Sequence, residues 1–573
     1  MEIFNASISK HAMEEILRCC QSTLLCCNHE LQKRTGIVDF FEHQADFDAF
    51  KTIVANPFEC VSESDRSEYG DFQTNMQLAK NICILLKAKQ IEPKMIIEPT
   101  CGKGAFIIAA LQTFPKVAQI IGIEIFKPYL WQTKFSIVEH FLNQQTDSKP
   151  TIILHHKNIF DFNFDNLRLT EDVLVLGNPP WVTNTMLSTL ESKNLPAKSN
   201  FKQHTGLDAL TGKGNFDIGE FILLMLIKTF QHQKGNIAFL VKNSVIKNIV
   251  HDQKRNQYQL SHLEKQKIDA QKEFQVAVDA ALFYAQLGAK KDYLCQEIDF
   301  YTQKKTISFG WSADKFVSNL ETYAVSAVAD GICPFEWRQG VKHDCSKVME
   351  LERPNDFFSN GKGESFELEK DLIYGILKSS DLKQSVICNT RKYTIITQKK
   401  IGQETLSIAT RFPKTWQYLM RHKPDFDNRK SIIYKGKPPF SIFGIGDYSF
   451  APYKVAISGF YKTTHFSLVL PQKERPILLD DTCYFIGFDN LEHALITQAL
   501  LNSKRVQAFL ESIIFWDSKR AITKDILSRI DLRIIVQHVD FESIAASDKS
   551  IPYSSWESYQ QLFKISNQLT LGV

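Results

Sequence analysis

Val173-Leu174-Val175-Leu176-Gly177-Asn178-Pro179-Pro180-Trp181 is the stretch that decides the fold class. Its first five residues form an unbroken apolar run of strand length. Such a run, closed by prolines, reads as a strand buried on both faces of a parallel sheet. The tetrapeptide Asn178-Pro179-Pro180-Trp181 then falls at the strand's carboxyl end, where open α/β sheets hold their ligands. Pro179 and Pro180 fix φ and remove N–H donors, so the loop is stiff and its carbonyls face outward. Asn178 and the Pro179 carbonyl can each accept a hydrogen bond from a planar NH2 group, drawing electron density toward its nitrogen. Trp181 offers a flat face, and stacking a base on an aromatic ring is worth roughly 1–3 kcal/mol. The plainer alternative is a proline turn that caps a core strand.

A second stretch has the same location in its own unit. Met95-Ile96-Ile97 reads as a strand that runs into Glu98-Pro99-Thr100-Cys101-Gly102-Lys103-Gly104-Ala105-Phe106, and Ile107-Ile108-Ala109-Ala110-Leu111 continues as a helix. Gly102 and Gly104 let backbone approach a ligand closely, although the third glycine of the full dinucleotide pattern is missing. The next strand, Ile120-Ile121-Gly122-Ile123, ends in Glu124. A ribose-binding carboxylate is expected about 20 residues past such a glycine turn.

Together these motifs, and their order, resemble the gamma-class N6-adenine DNA methyltransferases of Type II restriction-modification systems, over most of the chain. The resemblance implies an α/β, Rossmann-like S-adenosylmethionine-dependent methyltransferase domain followed by a C-terminal α+β target-recognition domain. It implies S-adenosyl-L-methionine as cofactor, double-stranded DNA as substrate, and methyl transfer to N6 of a flipped adenine. Asn178, Pro179, Pro180 and Trp181 match the family's catalytic loop. Glu98, Thr100, Gly102 and Gly104 match its cofactor loop, Glu124 its ribose carboxylate, and Asn178 touches the cofactor as well. Upstream, Glu68-Tyr69-Gly70-Asp71-Phe72-Gln73-Thr74-Asn75 resembles the segment in which the position of Thr74 helps hold the cofactor's carboxylate. Asn75 stands where the family usually has proline.

The contact to the cofactor's adenine falls in Lys157-Asn158-Ile159-Phe160-Asp161-Phe162, with Asn158 assigned by register, Phe160 beside it and Asp161 close enough to compete. Phe274 matches an aromatic position that packs, with Trp181, against the flipped base; the bland reading is a core phenylalanine, one of forty-two. Phe216–Phe221 and Ile237–Val245 look like later sheet elements. The same loop chemistry serves methyltransferases acting on adenine in RNA or on glutamine in proteins, so those substrates stay open. A catalytically silent DNA-binding subunit is disfavoured, because a binding module has no need of Asn178.

Length argues for more than one domain, since 573 residues exceed a single catalytic sheet. The expected division is an N-terminal helical segment over 1–60, a catalytic domain over 61–300 and a recognition domain over 301–573, with the apolar strand patterns ending near Leu287. Basic and aromatic residues in the last region, among them Arg391-Lys392-Tyr393, Arg429-Lys430, Tyr434-Lys435 and Tyr461-Lys462, are candidate DNA contacts, the plainer reading of any one pair being a solvated surface with scattered lysines. Thr523 suits a helix N-cap. The polar stretch from Thr183 to Asn215 reads as a lid beside DNA or a disordered loop.

A net charge of +4 on a chain that is 23% charged makes any nucleic-acid face a local one. Twelve scattered cysteines without paired Cys-x-x-Cys spacing argue against zinc and for reduced thiols. Glu92-Pro93-Lys94 lacks the clustered carboxylates of a fused nuclease. Apolar runs fall far short of the roughly 20 residues of a membrane helix. A cytoplasmic, monomeric enzyme is expected, with a separate cognate restriction endonuclease acting on the same site.

Overall fold

A computed structural model describes residues 9–55, 72–143, 148–169, 172–183, 217–275, 279–288, 290–353, 357–517 and 520–569. The chain divides into two compact units, Met1–Phe316 and Val317–Val573. The first is built on β1 (Met95–Glu98), β2 (Gln119–Glu124), β3 (Thr151–His156), β4 (Val173–Gly177), β5 (Gly235–Lys242), β6 (Leu260–Lys267), β7 (Ala280–Leu287), β8 (Leu294–Asp299), β9 (Lys305–Ser312) and β10 (Lys315–Val317), the last ending at the boundary. Their order across one sheet is β10-β9-β8-β6-β7-β5-β4-β1-β2-β3. The strands β1 to β5 pair in parallel, and β7 lies antiparallel between β5 and β6.

β1 sits between β2 and β4, so the winding direction of the sheet reverses there. Doubly wound sheets bind ligands in the crevice at that reversal, outside the carboxyl ends of the strands. Those ends are Glu98 and Gly177. Every residue of β1 and β4 is buried. The unbroken apolar run from Val173 follows from that two-sided burial, since a half-exposed strand would alternate.

The helices are α1 (Lys10–Cys19), α2 (Leu24–Thr35), α3 (Gln44–Ala55), α4 (Met76–Ala88), α5 (Ala105–Thr113), α6 (Lys127–Asn143), α7 (Ile218–Phe230), α8 (Asn243–Asn256) and α9 (Ala270–Phe274). Within the described residues of the N-terminal segment lie α1 to α3. These helices share the core of this sheet. Phe40 and Phe41 pack on Trp131 of α6, with ring centroids 5.7 and 5.6 Å away.

Two sequence expectations are corrected. The residues after Phe216 form α7, not a sheet element. Asp217 is its N-cap, accepting a hydrogen bond from the Glu220 N–H at 3.3 Å, and Asp-x-x-Glu before an apolar run is a helix-start signature. The sheet also continues past Leu287, because β8 adds in parallel to β6 and β9 pairs with β8.

The second unit holds two sheets. One joins Arg338–Gln339, Cys483–Phe488, Tyr453–Ser458, Ser467–Val469 and Val386–Ile387; the other joins Ser365–Phe366, Phe358–Asn360, Glu350–Glu352, Lys392–Ile395, Ile373–Leu377 and Leu478–Leu479. Helices Leu491–Leu501 and Lys504–Ile513 close over an apolar core around Trp337. Thr523 caps Lys524–Leu527, accepting from the Ile526 N–H at 3.4 Å. No described helix is long and apolar enough to cross a membrane.

Gly104 caps α5 at φ 80°, and a Cβ there would lie 2.7 Å from Thr133 Cγ2. Left-handed backbone costs a non-glycine residue about 1–3 kcal/mol. Gly104→Ala is therefore expected to lower the unfolding free energy by at least that amount, read as a lower urea midpoint at an unchanged slope; an unchanged midpoint would contradict this account of the turn.

Candidate active site

A cavity of about 220 Å3 opens at the carboxyl ends of β1, β2 and β4. Of the sequence-predicted residues, Thr74, Glu98, Thr100, Gly102, Glu124, Asn158, Phe160, Asn178 and Pro180 line it, whereas Gly104, Pro179, Trp181 and Phe274 do not. Residues 68–71 and 276–278, and the polar stretch 184–216, lie outside the described residues.

Glu124 is fixed from below. Its Oε2 accepts from the Gly102 N–H at 2.8 Å and its Oε1 from the Phe126 N–H at 2.7 Å. The carboxylate thus ties the glycine loop to the end of β2. Gln73 holds the same loop from the other side, its Oε1 accepting from the Lys103 N–H at 3.0 Å.

Glu98 is in a different state. It is 2% exposed and its Oε2 has no hydrogen-bond partner. Burial, and after it the charge of Glu124, push its pKa well above the ordinary carboxylate range. An unpaired buried carboxylate is costly, so burial favours the protonated form.

Asn178 is held by its NH2 group. Nδ2 donates to the Phe72 carbonyl at 2.7 Å and to Thr74 Oγ1 at 3.2 Å. A backbone carbonyl can only accept, so the amide orientation is determined, and Oδ1 must face the other way. Oδ1 is buried and has no partner. Thr100 Oγ1 donates to the Asn178 carbonyl at 3.4 Å, joining the two motif loops.

The Asn158 and Asp161 alternatives separate. Asn158 lines the cavity and its Oδ1 accepts from the Phe160 N–H at 3.1 Å, while Asp161 is exposed and outside the lining. Trp181 is 5% exposed, and its Nε1 donates to the Leu240 carbonyl at 3.2 Å. Phe72 and Phe274 cover it, with ring centroids 5.7 and 4.9 Å away. Asn75 does two things that proline could not. Its Oδ1 accepts from the Leu78 N–H at 2.7 Å as the cap of α4, and its Nδ2 donates to Glu273 Oε2 at 3.0 Å, beside Phe274.

Sequence reading missed Phe72, Gln73, Phe126, Ile218 and Ile222, all of which line the cavity. The last two carry a signal, since i and i+4 share a helix face. Among the described residues no group of three or more His, Cys, Asp or Glu side chains is placed to hold a metal ion.

No protein-family model matches the chain. Over 482 residues it is 40% identical to the Type II methyltransferase M.NspV of Nostoc sp. (strain ATCC 29411 / PCC 7524), a match spanning 83% of this chain and 98% of that one. The chain belongs to the Type II DNA methyltransferases. This methyltransferase accordingly uses S-adenosyl-L-methionine. Among solved structures, the Type IIL restriction-modification enzyme MmeI in complex with DNA covers 85% of this chain and 72% of its own at 12% identity and a TM-score of 0.47. The type IIG restriction endonuclease BpuSI covers 95% and 70% at 12% identity and a TM-score of 0.35. Neither likeness is close enough to assign a residue its role. The cavity itself fits the cofactor's chemistry, because the unpartnered Glu98 Oε2 offers an acceptor for an ammonium group.

The raised pKa of Glu98 sets a pH dependence. Between the unfolded glutamate value of about 4.3 and the raised folded value, the folded chain keeps a proton that the unfolded chain has released. The stability from that proton is complete below the unfolded pKa and is lost as pH rises through the folded one. In urea titrations without cofactor, Glu98→Gln is expected to become progressively more stable than the natural chain as pH increases across this window; a constant difference would contradict the assignment.

Proposed function

We propose that this methyltransferase transfers the methyl group of S-adenosyl-L-methionine to N6 of an adenine flipped out of duplex DNA, as the modification enzyme of a restriction-modification system. The observation that carries the reading is the Asn178 amide, whose donor side is consumed by Phe72 and Thr74 and whose acceptor oxygen is left unpaired. An exocyclic amine supplies the missing donor.

In this reading Glu98 takes the cofactor's ammonium group, Thr74 its carboxylate, and Glu124 its ribose hydroxyls. Asn158 and Phe160 hold its adenine. The bound cofactor supplies an electrophilic methyl group on sulfur. Asn178 Oδ1 and the Pro179 carbonyl accept hydrogen bonds from the target NH2, which turns the nitrogen lone pair out of the ring's conjugation and toward the methyl group. Catalysis then rests on orientation and preset dipoles, with no covalent nucleophile. Phe274, half-buried and edge-on to Trp181, supplies the aromatic face for the flipped base, and the buried Trp181 supports it. The second unit carries target recognition, a monomer reads the site, and a separate endonuclease cuts the same sequence.

The division of labour is tested by two variants. Removing a preset hydrogen-bonding group of this kind costs about 10²–10³ in rate. Asn178→Ala is expected to lose methyl transfer to mixed-sequence duplex DNA by at least that factor while equilibrium binding of the cofactor changes little, and Glu124→Ala is expected to weaken cofactor binding first. Equal loss of cofactor affinity in both variants would overturn the assignment.

A further inference from the structure

The structure sorts the basic residues of the second unit into those already engaged and those left free. Arg391 pairs with Asp381 at 2.7 Å and Lys392 with Glu350 at 3.5 Å. Arg429 is a structural residue. It donates to the carbonyls of Phe426 at 3.0 Å, Ser441 at 2.7 Å and His343 at 3.2 Å, and its guanidinium lies 3.6 Å from the Tyr434 ring centre. What Arg429 and Tyr434 hold in place is the loop between them and its continuation to Lys437.

That loop presents Lys430, Lys435 and Lys437, all exposed and without an ion-pair partner among the described residues, around Ile432, which is 81% exposed. No acidic residue occurs from Asn428 to Gly446. A second loop lies beside it. Thr397 Oγ1 donates to the Phe440 carbonyl at 2.8 Å, Gln398 Nε2 to the Ile442 carbonyl at 3.0 Å and Thr405 Oγ1 to the Pro439 carbonyl at 2.6 Å. This neighbour also sets lysines beside an exposed isoleucine, Lys399 and Lys400 next to Ile401, 53% exposed, with the exposed Glu404 further along. Its only ion pair among the described residues is the solvent-facing contact of Lys400 with Asp447 at 3.5 Å, which water and salt weaken.

A large β-branched side chain exposed on a tethered loop, with three unpaired lysines on the same loop, fits a polyanion with an apolar interior. Duplex DNA has that chemistry, with phosphates outside and stacked bases within; apolar wedges inserted between base steps are a known mode of contact. We propose that the two loops form a DNA clamp in which the lysines meet phosphates and Ile432 enters between base steps. The inference rests on the reading of the second unit as the part that meets DNA, and it names the surface.

The test measures binding of fluorescent mixed-sequence duplex DNA to the full-length protein across a salt series. Each phosphate contact contributes about 0.9 to the slope of log K against log salt. The combined variant Lys430→Ala, Lys435→Ala, Lys437→Ala is expected to lower that slope by about 2–3 and to weaken binding evenly across sequences. Ile432→Ala is expected to weaken binding several-fold with the slope unchanged, and Ile432→Leu to restore most of it. An unchanged slope in the triple variant, or full binding by Ile432→Ala, would overturn the clamp. So would equal, lysine-dependent binding of duplex RNA, which would make the surface an RNA one. If N6-methyladenine forms in DNA while the slope is unmoved, the clamp alone fails. If the slope falls as expected but no N6-methyladenine forms, the adenine reading fails and the clamp stands.

Discussion

The orientation of one primary amide is the constraint on which the cavity end of the first unit depends. Asn178 can face its NH2 group only toward the Phe72 carbonyl, because two carbonyls would otherwise oppose each other at 2.7 Å. Everything that makes this possible comes from elsewhere in the fold. The fully buried β4 delivers Asn178 to the crevice, the two prolines hold the loop there, and the segment around Phe72 to Thr74 presents the acceptors. The result is an acceptor oxygen already aimed and already desolvated before any substrate is bound, so little reorganisation remains for the moment of reaction.

Two carboxylates at neighbouring strand ends show how environment divides one side-chain type between two tasks. Glu124 spends both oxygens on backbone N–H groups and so shapes the glycine loop. Glu98, at the end of the adjacent strand, is buried with one oxygen unpartnered and pays for that position with a raised pKa. Perturbed titration of this kind clusters at functional sites, and each Glu124 oxygen keeps a second lone pair for a hydroxyl donor. The tie from Asn75 to Glu273 extends the same logic outward, linking the start of α4 to the short helix that carries Phe274.

What was legible in the sequence was local. The strand from Val173, the strand into Glu98 and the acid closing β2 are short runs whose neighbours along the chain are also their structural context, and all three line the crevice. What was not legible depends on partners far away in sequence. The Asn178 amide meets Phe72 across 106 positions, and Trp181 meets Leu240 across 59. That second contact, with the rings of Phe72 and Phe274, buries the tryptophan face that the loop's composition alone presents as open. The strands β8 to β10 escaped notice because they pair with β6 and with one another after a polar connector, which reads as a linker when the sheet edge it joins is unknown. The helix α7 was mistaken for a sheet element because it is apolar nearly all round, which blurs the period and leaves the Asp217 cap and the i, i+4 pair Ile218 and Ile222 as its readable signs.

The central claim is that the unpaired Asn178 oxygen receives an adenine amine. Nucleoside mass spectrometry of mixed-sequence duplex DNA, incubated with the protein and S-adenosyl-L-methionine, tests it most directly. N6-methyladenine is the expected product, absent when Asn178→Ala replaces the natural chain. A methylated cytosine in its place, or N6-methyladenine formed equally well by Asn178→Ala, would contradict it.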